Sequence, residues 1–323
     1  MPSVVKNIFM PSEFDLIQRC FTRPTRHTVL GVGDDAALIA PAPGYELVVS
    51  TDMLVEGTHF FPDADPEDLG WKTLAVNVSD LAAMGAVPRW ATLAIAAPPA
   101  RPEGSTLGVS TFDWMDAFAR GFFACADAFK IDLIGGDTTR GARCFSVTIM
   151  GEVPTGKALR RAGARVGDQV WVSGTPGRAG RGLAHLQGSR NVMVAAECLA
   201  ALHRPQPRVA LGLALREIAS AAIDISDGLL ADLGHILVAS GVAATLESLP
   251  DDADEYYLAG GDDYELLFTA ATARAPEITA LGRILALSLT CIGRIEAGAA
   301  NLRVLDSTGR DITPIRRGYD HFA

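Results

Sequence analysis

The residues in this sequence best suited to chemistry are aspartates that stand where short apolar runs end or amphipathic runs begin. Four segments share this placement: Gly33-Asp34-Asp35, Ser50-Thr51-Asp52, Gly135-Gly136-Asp137 and Asp224-Ile225-Ser226-Asp227-Gly228. Any one such aspartate is more often a turn former or a helix cap than a ligand. The four together favour a ligand site, because strand ends collect binding groups in α/β folds and small neighbours let the backbone approach a ligand.

Carboxylates that converge need a cation if they are to stay ionised. Two of them about 4 Å apart repel by about 4 kcal/mol at an effective dielectric of about 20. Asp80 lies near the end of a predicted helix, where the macrodipole disfavours negative charge, although a solvated surface position explains it equally well. Oxygen donors without a Cys or His cluster favour Mg²⁺ over zinc or copper. Since Mg²⁺ in such sites usually binds substrate phosphates, phosphoryl transfer or other nucleotide-dependent chemistry is the first hypothesis.

The common nucleotide-binding motifs do not occur in this sequence. Residues 151–158 nearly spell a P-loop, but Ala158 has no hydroxyl for Mg²⁺ and Pro154 has no N–H to cradle phosphate. Residues 174–180 could approach phosphates, although a plain strand-to-helix turn is the favoured interpretation. One basic group either neutralises a triphosphate or forms a solvated linker; its members are Lys157, Arg160, Arg161 and Arg165.

The composition indicates a globular protein of about two domains. The chain has 323 residues, of which 49% are hydrophobic and 20% charged, and a domain usually holds roughly 100 to 200 residues. The net charge of −10 disfavours nucleic acid as a partner. Five widely spaced cysteines, no apolar signal core and no run of roughly 18 apolar residues predict a cytoplasmic protein without disulfides, structural zinc or a membrane segment.

Periodicity predicts alternating strands and helices in two halves. Short apolar runs bounded by turn formers predict strands over 46–50, 91–96, 132–134, 145–153, 169–173, 222–225, 264–269 and 290–295. Helical spacing predicts helices over 65–85, 111–130 and 208–220, and another after Asp227. The Gly-rich basic sequence after Pro154 suggests a boundary between domains 1–154 and 155–323. The fold class is therefore α/β or α+β.

Seven motifs, in their order along the chain, resemble those of the thiamine-monophosphate kinase family. They are GVGDD (31–35), STDMLVEGTHF (50–60), NVSDLAAMG (77–85), GGDTTRG (135–141), DISDG (224–228), GGDDYE (260–265) and GYDHF (318–322). A single motif such as GGD is weak, but the ordered set spans nearly the whole chain and is highly specific. The resemblance implies an aminoimidazole-ribotide synthetase-like fold, with an N-terminal α/β domain that dimerises through a mixed sheet and a C-terminal α+β domain that completes the active site.

The same resemblance implies a reaction and a set of site residues. The reaction is phosphorylation of thiamine monophosphate by ATP, through direct in-line transfer with several Mg²⁺ ions and no covalent nucleophile. The family's metal-binding positions fall on Asp35, Ser50, Thr51, Asp52, Asp80, Asp137, Asp224 and Asp227. Its ATP-contacting positions fall on Gly136, Asp137, Arg161 and Ser226. Its substrate-contacting positions fall on His59, Tyr319 and Asp262, the last where the family pattern often has the longer Glu.

Two alternatives to this function stay open from the sequence. The chain could be another ATP-dependent synthetase or kinase of the same superfamily, although Cys20 does not reproduce the reactive Cys and nearby Lys of selenophosphate synthetases. It could also be a non-catalytic assembly protein that uses the acidic residues as a structural metal site. Metal alone would stabilise such a protein, whereas a kinase would be stabilised further by an ATP analogue with Mg²⁺.

Overall fold

The computed structural model describes residues 13–98, 111–189 and 196–322, so the N-terminal residues predicted to lack a signal core lie mostly outside it. The chain forms two compact units that alternate along the sequence. Unit 1 comprises Met1–Pro41, Val49–Asn77 and Pro88–Met150, and unit 2 comprises Ala42–Val48, Val78–Val87 and Gly151–Ala323. The division into domains 1–154 and 155–323 stays a prediction.

The helices and strands alternate along most of the described chain. The helices are α1 Glu13–Leu16, α2 Pro66–Ala83, α3 Thr111–Phe129, α4 Arg178–Leu186, α5 Ala196–His203, α6 Val209–Leu215, α7 Leu229–Ser240, α8 Glu255–Ala259 and α9 Ala275–Ile284. The strands are β1 Thr28–Leu30, β2 Leu38–Ile39, β3 Tyr45–Val55, β4 Val87–Ala97, β5 Asp132–Arg140, β6 Cys144–Pro154, β7 Asp168–Ser173, β8 Ala221–Asp224, β9 Ala243–Leu246, β10 Leu266–Ala271, β11 Leu289–Glu296 and β12 Leu302–Val304.

Two larger sheets carry these strands, and both mixed α/β and α+β features are present. The four-stranded sheet has the order β3-β6-β4-β5, and its β4 and β5 are parallel. The six-stranded sheet has the order β12-β9-β11-β7-β10-β8, in which β12 runs parallel to β9 and the other neighbours are antiparallel. Strands β1 and β2 form a small antiparallel pair.

Helix α2 begins and ends as the sequence predicts. The Asp65 carboxylate accepts hydrogen bonds from the backbone N–H groups of Glu67 and Asp68, at 2.9 and 3.0 Å, which is the geometry of an N-cap. Gly85 follows the helix with φ +64°, the left-handed conformation that glycine adopts without cost. These two caps fix the length of the helix that carries Asp80.

Unit 1 packs its core around aromatic residues of α3, as the spacing of its apolar positions predicts. Phe118 and Phe122 are fully buried, and the ring of Phe118 stacks on Phe145 of β6 with centroids 4.5 Å apart. Helices α2 and α3 come close enough to exclude a side chain at two glycines. A Cβ at Gly121 would lie 1.7 Å from the carbonyl oxygen of Glu67, and one at Gly70 would lie 2.0 Å from that of Phe118.

Unit 2 buries both faces of its sheet, and neighbouring residues of β7 join different apolar clusters because they point to opposite sides. Val170 and Val172 of β7 join one apolar cluster with residues of α7 such as Leu233. Trp171, between them, joins a second cluster with Phe268 of β10 and Leu215 of α6. Helices therefore cover both faces of the sheet that contains β8, the strand that ends at Asp224.

Several predicted boundaries are wrong. Strands β3, β4 and β5 extend beyond the predicted ranges 46–50, 91–96 and 132–134. Two other elements differ for local physical reasons. Strand β10 begins at Leu266 rather than 264, because Tyr264 has φ +52°, which is incompatible with an extended strand. Helix α6 ends at Leu215 rather than 220, because the backbone N–H of Ser220 bonds to the carbonyl of Thr269 and so joins the edge of the sheet. In the part of the chain that the structure describes, no helix has the length and hydropathy needed to cross a membrane.

Gly121→Ala is expected to lower the free energy of unfolding by about 3 kcal/mol or more, because the added methyl overlaps backbone rather than a movable side chain. Gly234→Ala is the matched control: it lies inside α7 with no heavy atom within 4 Å of the added Cβ. That change should be neutral or stabilising by up to about 1 kcal/mol. Urea unfolding of the two variants measures the difference, and equal stabilities would show that the helices do not cross as described.

Candidate active site

In unit 2, strand β8 ends at a buried carboxylate, that of Asp224. Asp224, the last residue of β8, is only 5% exposed. Its Oδ2 accepts a hydrogen bond of 2.6 Å from the hydroxyl of Ser79, which is fully buried on α2. Because Asp80 follows Ser79 on the same helix, this bond brings its backbone near the end of β8, although its half-buried side chain points about 100° away around the helix. Two of the predicted metal-binding aspartates therefore belong to one neighbourhood.

The loop that follows β8 is organised by a carboxylate that the sequence did not single out. Asp232 lies in the first turn of α7 and is 2% exposed. Its Oδ2 accepts three hydrogen bonds of 3.1 Å, from the backbone N–H groups of Ser226, Asp227 and Gly228. One oxygen of Asp232 therefore fixes the backbone conformation of the segment that contains the predicted ligands Ser226 and Asp227.

The carbonyl groups of the same loop bind two segments that are distant in sequence. The Ser226 carbonyl accepts a bond of 2.8 Å from the N–H of Asp262, and the Asp227 carbonyl accepts one of 2.9 Å from the N–H of Tyr319. Asp262 has φ +71° and its carboxylate accepts a 3.0 Å bond from the hydroxyl of Tyr264. Unit 2 thus gathers all of its predicted site residues except Arg161 around this loop.

The other acidic residues of the GGDDYE motif hold the scaffold together. Asp263 is buried and accepts bonds from the backbone N–H groups of Gly177 and Ala179, at the start of α4. These bonds confirm the interpretation of residues 174–180 as a strand-to-helix turn, since a carboxylate already occupies the helix N-terminus. Glu265 forms a two-pronged ion pair with Arg208 and accepts a 2.5 Å bond from the hydroxyl of Ser173.

In unit 1, strand β3 divides its three predicted ligands between its two faces. Ser50 and Asp52 are half-buried on one face, whereas Thr51 is exposed on the other and its hydroxyl lies 2.8 Å from that of Thr148. The backbone N–H of Asp52 donates a 3.0 Å bond to the buried side chain of Asn77 on α2. Asn77 therefore fixes β3 at the residue whose carboxylate is predicted to bind metal.

The remaining predicted residues of unit 1 lie elsewhere on or beside the four-stranded sheet. Asp137 is exposed on β5, at the edge opposite β3, so strands β6 and β4 separate it from Asp52. Beside it, a Cβ at Gly136 would lie 1.8 Å from the carbonyl oxygen of Leu93, which leaves room only for glycine. Asp35 is exposed in the loop before β2. His59 is half-buried, and its Nδ1 accepts a 3.0 Å bond from the N–H of Val55.

Arg161 is exposed, and its loop in unit 2 is held by one serine. The hydroxyl of Ser240, at the end of α7, donates to the Arg161 carbonyl at 3.2 Å and accepts from the N–H groups of Gly163 and Ala164 at 3.1 Å each. The loop is thereby fixed while the guanidinium stays accessible to an anionic ligand.

Burial raises the pKa values of the two carboxylates that organise unit 2. It raises the pKa of Asp232 to about 7, against the opposing effect of the three N–H donors and with help from the charge of Asp227. Burial likewise raises the pKa of Asp263 to about 7, against the bonds from Gly177 and Ala179. Both oxygens of Asp263 accept backbone bonds, and one oxygen of Asp232 accepts three, so both groups serve mainly to hold the backbone.

One group of three donors in the described residues is compact enough for a metal ion: atoms of Asp227, Asp232 and His235 lie within 4.8 Å of one another. Asp232 has an oxygen committed to three N–H groups, so Asp227 is the member best placed to bind a ligand. His235 was not predicted from sequence. It follows Asp232 by three residues on α7, and that spacing is the only signal that could have found it.

Comparison with known proteins agrees with the motifs. Residues 33–153 match the family model described as AIR synthase related protein, N-terminal domain. The chain is 44% identical to the thiamine-monophosphate kinase of Salmonella typhimurium, over 96% of this chain and 98% of that one. The chain belongs to the thiamine-monophosphate kinase family.

Solved structures of the family have the same fold. The thiamine-monophosphate kinase of Stenotrophomonas maltophilia K279a is 48% identical, with a TM-score of 0.78, over 90% of this chain and 94% of that one. A structure described as AaThiL complexed with AMPPCP and TMP is 30% identical, with a TM-score of 0.72, over 96% of this chain and 97% of that one. The aminoimidazole-ribotide synthetase-like fold implied by the motifs is therefore confirmed, and dimerisation through the N-terminal sheet stays a prediction.

Asp232→Ala is expected to leave three backbone N–H groups without an acceptor and to release the loop at Asp227, with at least a tenfold loss of kcat/KM, about 1.4 kcal/mol. Asp232→Asn keeps an oxygen acceptor and should retain more activity. Asp251→Ala, at an exposed position, is the control and should change neither activity nor stability. Equal activity of Asp232→Ala and the control would contradict the role given to this carboxylate.

The raised pKa of Asp232 also predicts a pH dependence of stability. A carboxylate whose folded pKa is above its unfolded value stabilises the fold below the unfolded pKa, and that contribution is lost as pH rises through about 7. Asp232→Asn cannot titrate there. The difference in unfolding free energy between wild type and this variant, measured in EDTA, should therefore shift in favour of the variant between pH 5 and pH 8. An unchanged difference would place the Asp232 pKa outside that window.

Proposed function

We propose that this protein transfers the γ-phosphoryl group of ATP to thiamine monophosphate, which yields thiamine diphosphate and ADP. The observation that carries the proposal is 44% identity to a thiamine-monophosphate kinase over 96% of the chain. A relative of the same fold binds AMPPCP, an ATP analogue, together with TMP. In the reaction an oxygen of the acceptor phosphate attacks the γ-phosphorus of ATP, and the bond between the γ-phosphorus and the β,γ-bridging oxygen breaks. No side-chain nucleophile is needed.

The predicted metal positions fit Mg²⁺ by the chemistry of their donors. Asp224 and Asp80 in unit 2, and Ser50 and Asp52 in unit 1, offer oxygen atoms without a cluster of Cys or His. Asp35, Asp137 and Asp227 complete the proposed set, together with the backbone of Thr51, because the Thr51 side chain lies on the opposite face of β3 from Ser50 and Asp52. When bound, Mg²⁺ would screen the repulsion between two anionic substrates and stabilise the charge on the transferring group.

The side chains themselves would bind and orient the substrates. Close packing of Gly136 on the Leu93 backbone holds β5 beside Asp137, where the nucleotide is proposed to bind, and the exposed guanidinium of Arg161 would pair with its phosphates. Ser226 sits on the loop fixed by Asp232, which would hold its hydroxyl toward ATP. His59, Asp262 and Tyr319 would position thiamine monophosphate; the hydrogen bond from Tyr264 holds Asp262 in place despite its shorter side chain.

The exposed face of β3 supports a homodimer as the working form in the cytoplasm. Tyr45, Leu47, Val49 and Met53 alternate along one face of this edge strand and are 41–54% exposed. Large apolar side chains in a row on an edge strand favour association. A second copy of the chain is the proposed occupant of this face.

A coupled assay for ADP release tests the function directly. With ATP and Mg²⁺, ADP should form rapidly when thiamine monophosphate is supplied, and not when free thiamine or an aminoimidazole precursor replaces it. Omitting Mg²⁺ should abolish the signal. ADP release that is equal with thiamine, or independent of any acceptor, would refute the assignment to thiamine monophosphate.

Asp52→Asn and Asp227→Asn are expected to fold normally and to lose at least about 100-fold in kcat, because each removes a charge needed at the transition state while keeping the side-chain shape. Asp251→Asn removes the same charge from an exposed position and should keep wild-type turnover. Circular dichroism and steady-state kinetics provide the comparison. Wild-type rates in either site variant at saturating Mg²⁺ would rule out the metal role.

Val49→Arg should convert the dimer to a monomer, because it places a charge in the middle of the apolar face of β3. Val238→Arg, at a residue of α7 that is 71% exposed, is the matched control and should leave the dimer intact. Light scattering after size exclusion gives both masses. A dimer that survives Val49→Arg would place the interface elsewhere.

A further inference from the structure

A cavity in unit 2 lies beside the basic segment that the sequence left without a settled role. It has a volume of about 220 Å³, which is smaller than the roughly 300 to 1,000 Å³ of sites for drug-sized ligands. Its lining comes from residues 156–160, Ala162 and residues near the end of α6. A cavity of this size suits a single small ion or the phosphate end of a larger molecule.

The lining of this cavity carries positive charge and no carboxylate. Its charged members are Lys157, Arg160 and Arg216. The one hydroxyl in the lining, on Ser220, donates a 2.5 Å bond to Asp168. In a chain with a net charge of −10, three cations around one small volume form an unusual local field.

Arg216 is the residue that most needs a counter-charge. Its Nε donates a 2.6 Å bond to the carbonyl of Gly85, and its Nη2 is buried without a hydrogen-bond partner among the described residues. Burial lowers the pKa of the Arg216 guanidinium. A buried donor without an acceptor is costly, and the rest of this half-buried side chain can still contact an anion.

The nearby carboxylates only partly offset this charge. Glu217 pairs with Lys157 at 2.8 Å, but both side chains are at least half exposed, and exposed pairs are weak. Glu46 accepts a 3.1 Å bond from the backbone N–H of Gly156 in an exposed position. Neither contacts Arg160 or Arg216 among the described ion pairs, so an anion in the cavity would meet two guanidinium groups that lack an acidic partner.

The cavity is not lined by Arg161, the residue proposed to bind ATP. The adjacent residues Arg160 and Ala162 do belong to the lining. The basic segment is therefore divided: Arg161 is left for the nucleotide, and Arg160 with Lys157 borders the cavity.

We propose that this cavity is a second anion site, which binds a phosphate group through Lys157, Arg160 and Arg216 independently of the nucleotide. The guanidinium groups supply planar, multiple N–H donors of the kind that phosphate oxygens prefer. Inorganic phosphate, pyrophosphate and the end of a phosphate ester share this chemistry.

Isothermal titration calorimetry of the full-length protein with inorganic phosphate, and separately with pyrophosphate, tests the site in EDTA at constant ionic strength. Wild type should bind, and Arg216→Gln and the double variant Lys157→Gln/Arg160→Gln should each bind roughly tenfold or more weakly. Arg283→Gln removes an exposed charge from α9 and should bind like wild type. Arg161→Gln should also bind like wild type, because that residue is outside the cavity.

Each outcome has a defined meaning. Tighter binding of pyrophosphate assigns the site to a condensed phosphate, tighter binding of phosphate assigns it to a single phosphate group, and either result supports the proposal. If Arg216→Gln does not fold, the double variant, with both substitutions at exposed residues, decides. The proposal is overturned if wild type binds neither anion, if the cavity variants bind like Arg283→Gln, or if binding is lost only in Arg161→Gln. The ADP-release assay is unaffected by any of these results, so the two proposals fail separately.

Discussion

The three hydrogen bonds from one loop to a single oxygen of Asp232 are the interaction on which the candidate site of unit 2 depends. They draw the N–H groups of residues 226–228 toward the start of α7 and leave the loop carbonyls facing other partners. Those carbonyls then accept the N–H groups of Asp262 and Tyr319, so one buried carboxylate aligns three segments separated by up to about 90 residues. Because Asp227 is held through its backbone N–H and carbonyl groups, its side-chain carboxylate is left to bind a ligand.

The same arrangement explains why an acidic protein can act on two anions. The predicted metal positions contribute carboxylates, and both substrates carry phosphate, so a site without cations would repel what it must bind. Fixing the carboxylates in advance, as the Ser79 hydroxyl does for Asp224 and the Asn77 amide does for the backbone at Asp52, avoids reorganisation during transfer. Catalysis would then consist mainly of positioning and charge stabilisation, which suits a reaction that needs no covalent intermediate.

Much of the fold was predictable because short stretches of sequence determine where its helices begin, end and bury their apolar residues. The cap at Asp65, the glycine at 85 and the apolar spacing of α3 each follow from chemistry within one turn of helix. Of the predicted acidic strand ends, Asp224 ends β8, but Asp52 and Asp137 lie inside β3 and β5, which are longer than the sequence predicted. The motifs gave the family. Asp232 was not predicted, because its partners are backbone groups and the leucine stripe of α7 made it look like an ordinary polar position. The sequence also did not predict that the two units alternate along the chain. Strands and helices such as β3 and α2 pass from one unit to the other without any change in their local sequence pattern.

The central claim, that these carboxylates hold divalent cations for the transfer, is tested most directly by counting bound metal. Electron paramagnetic resonance of Mn²⁺, in the presence of AMPPCP and thiamine monophosphate, gives the number of ions bound per chain from the loss of the free-ion signal. Wild type should bind more Mn²⁺ than the nucleotide does in solution, and Asp227→Asn should bind less than wild type. Equal binding by wild type, the variant and the nucleotide alone would contradict the account.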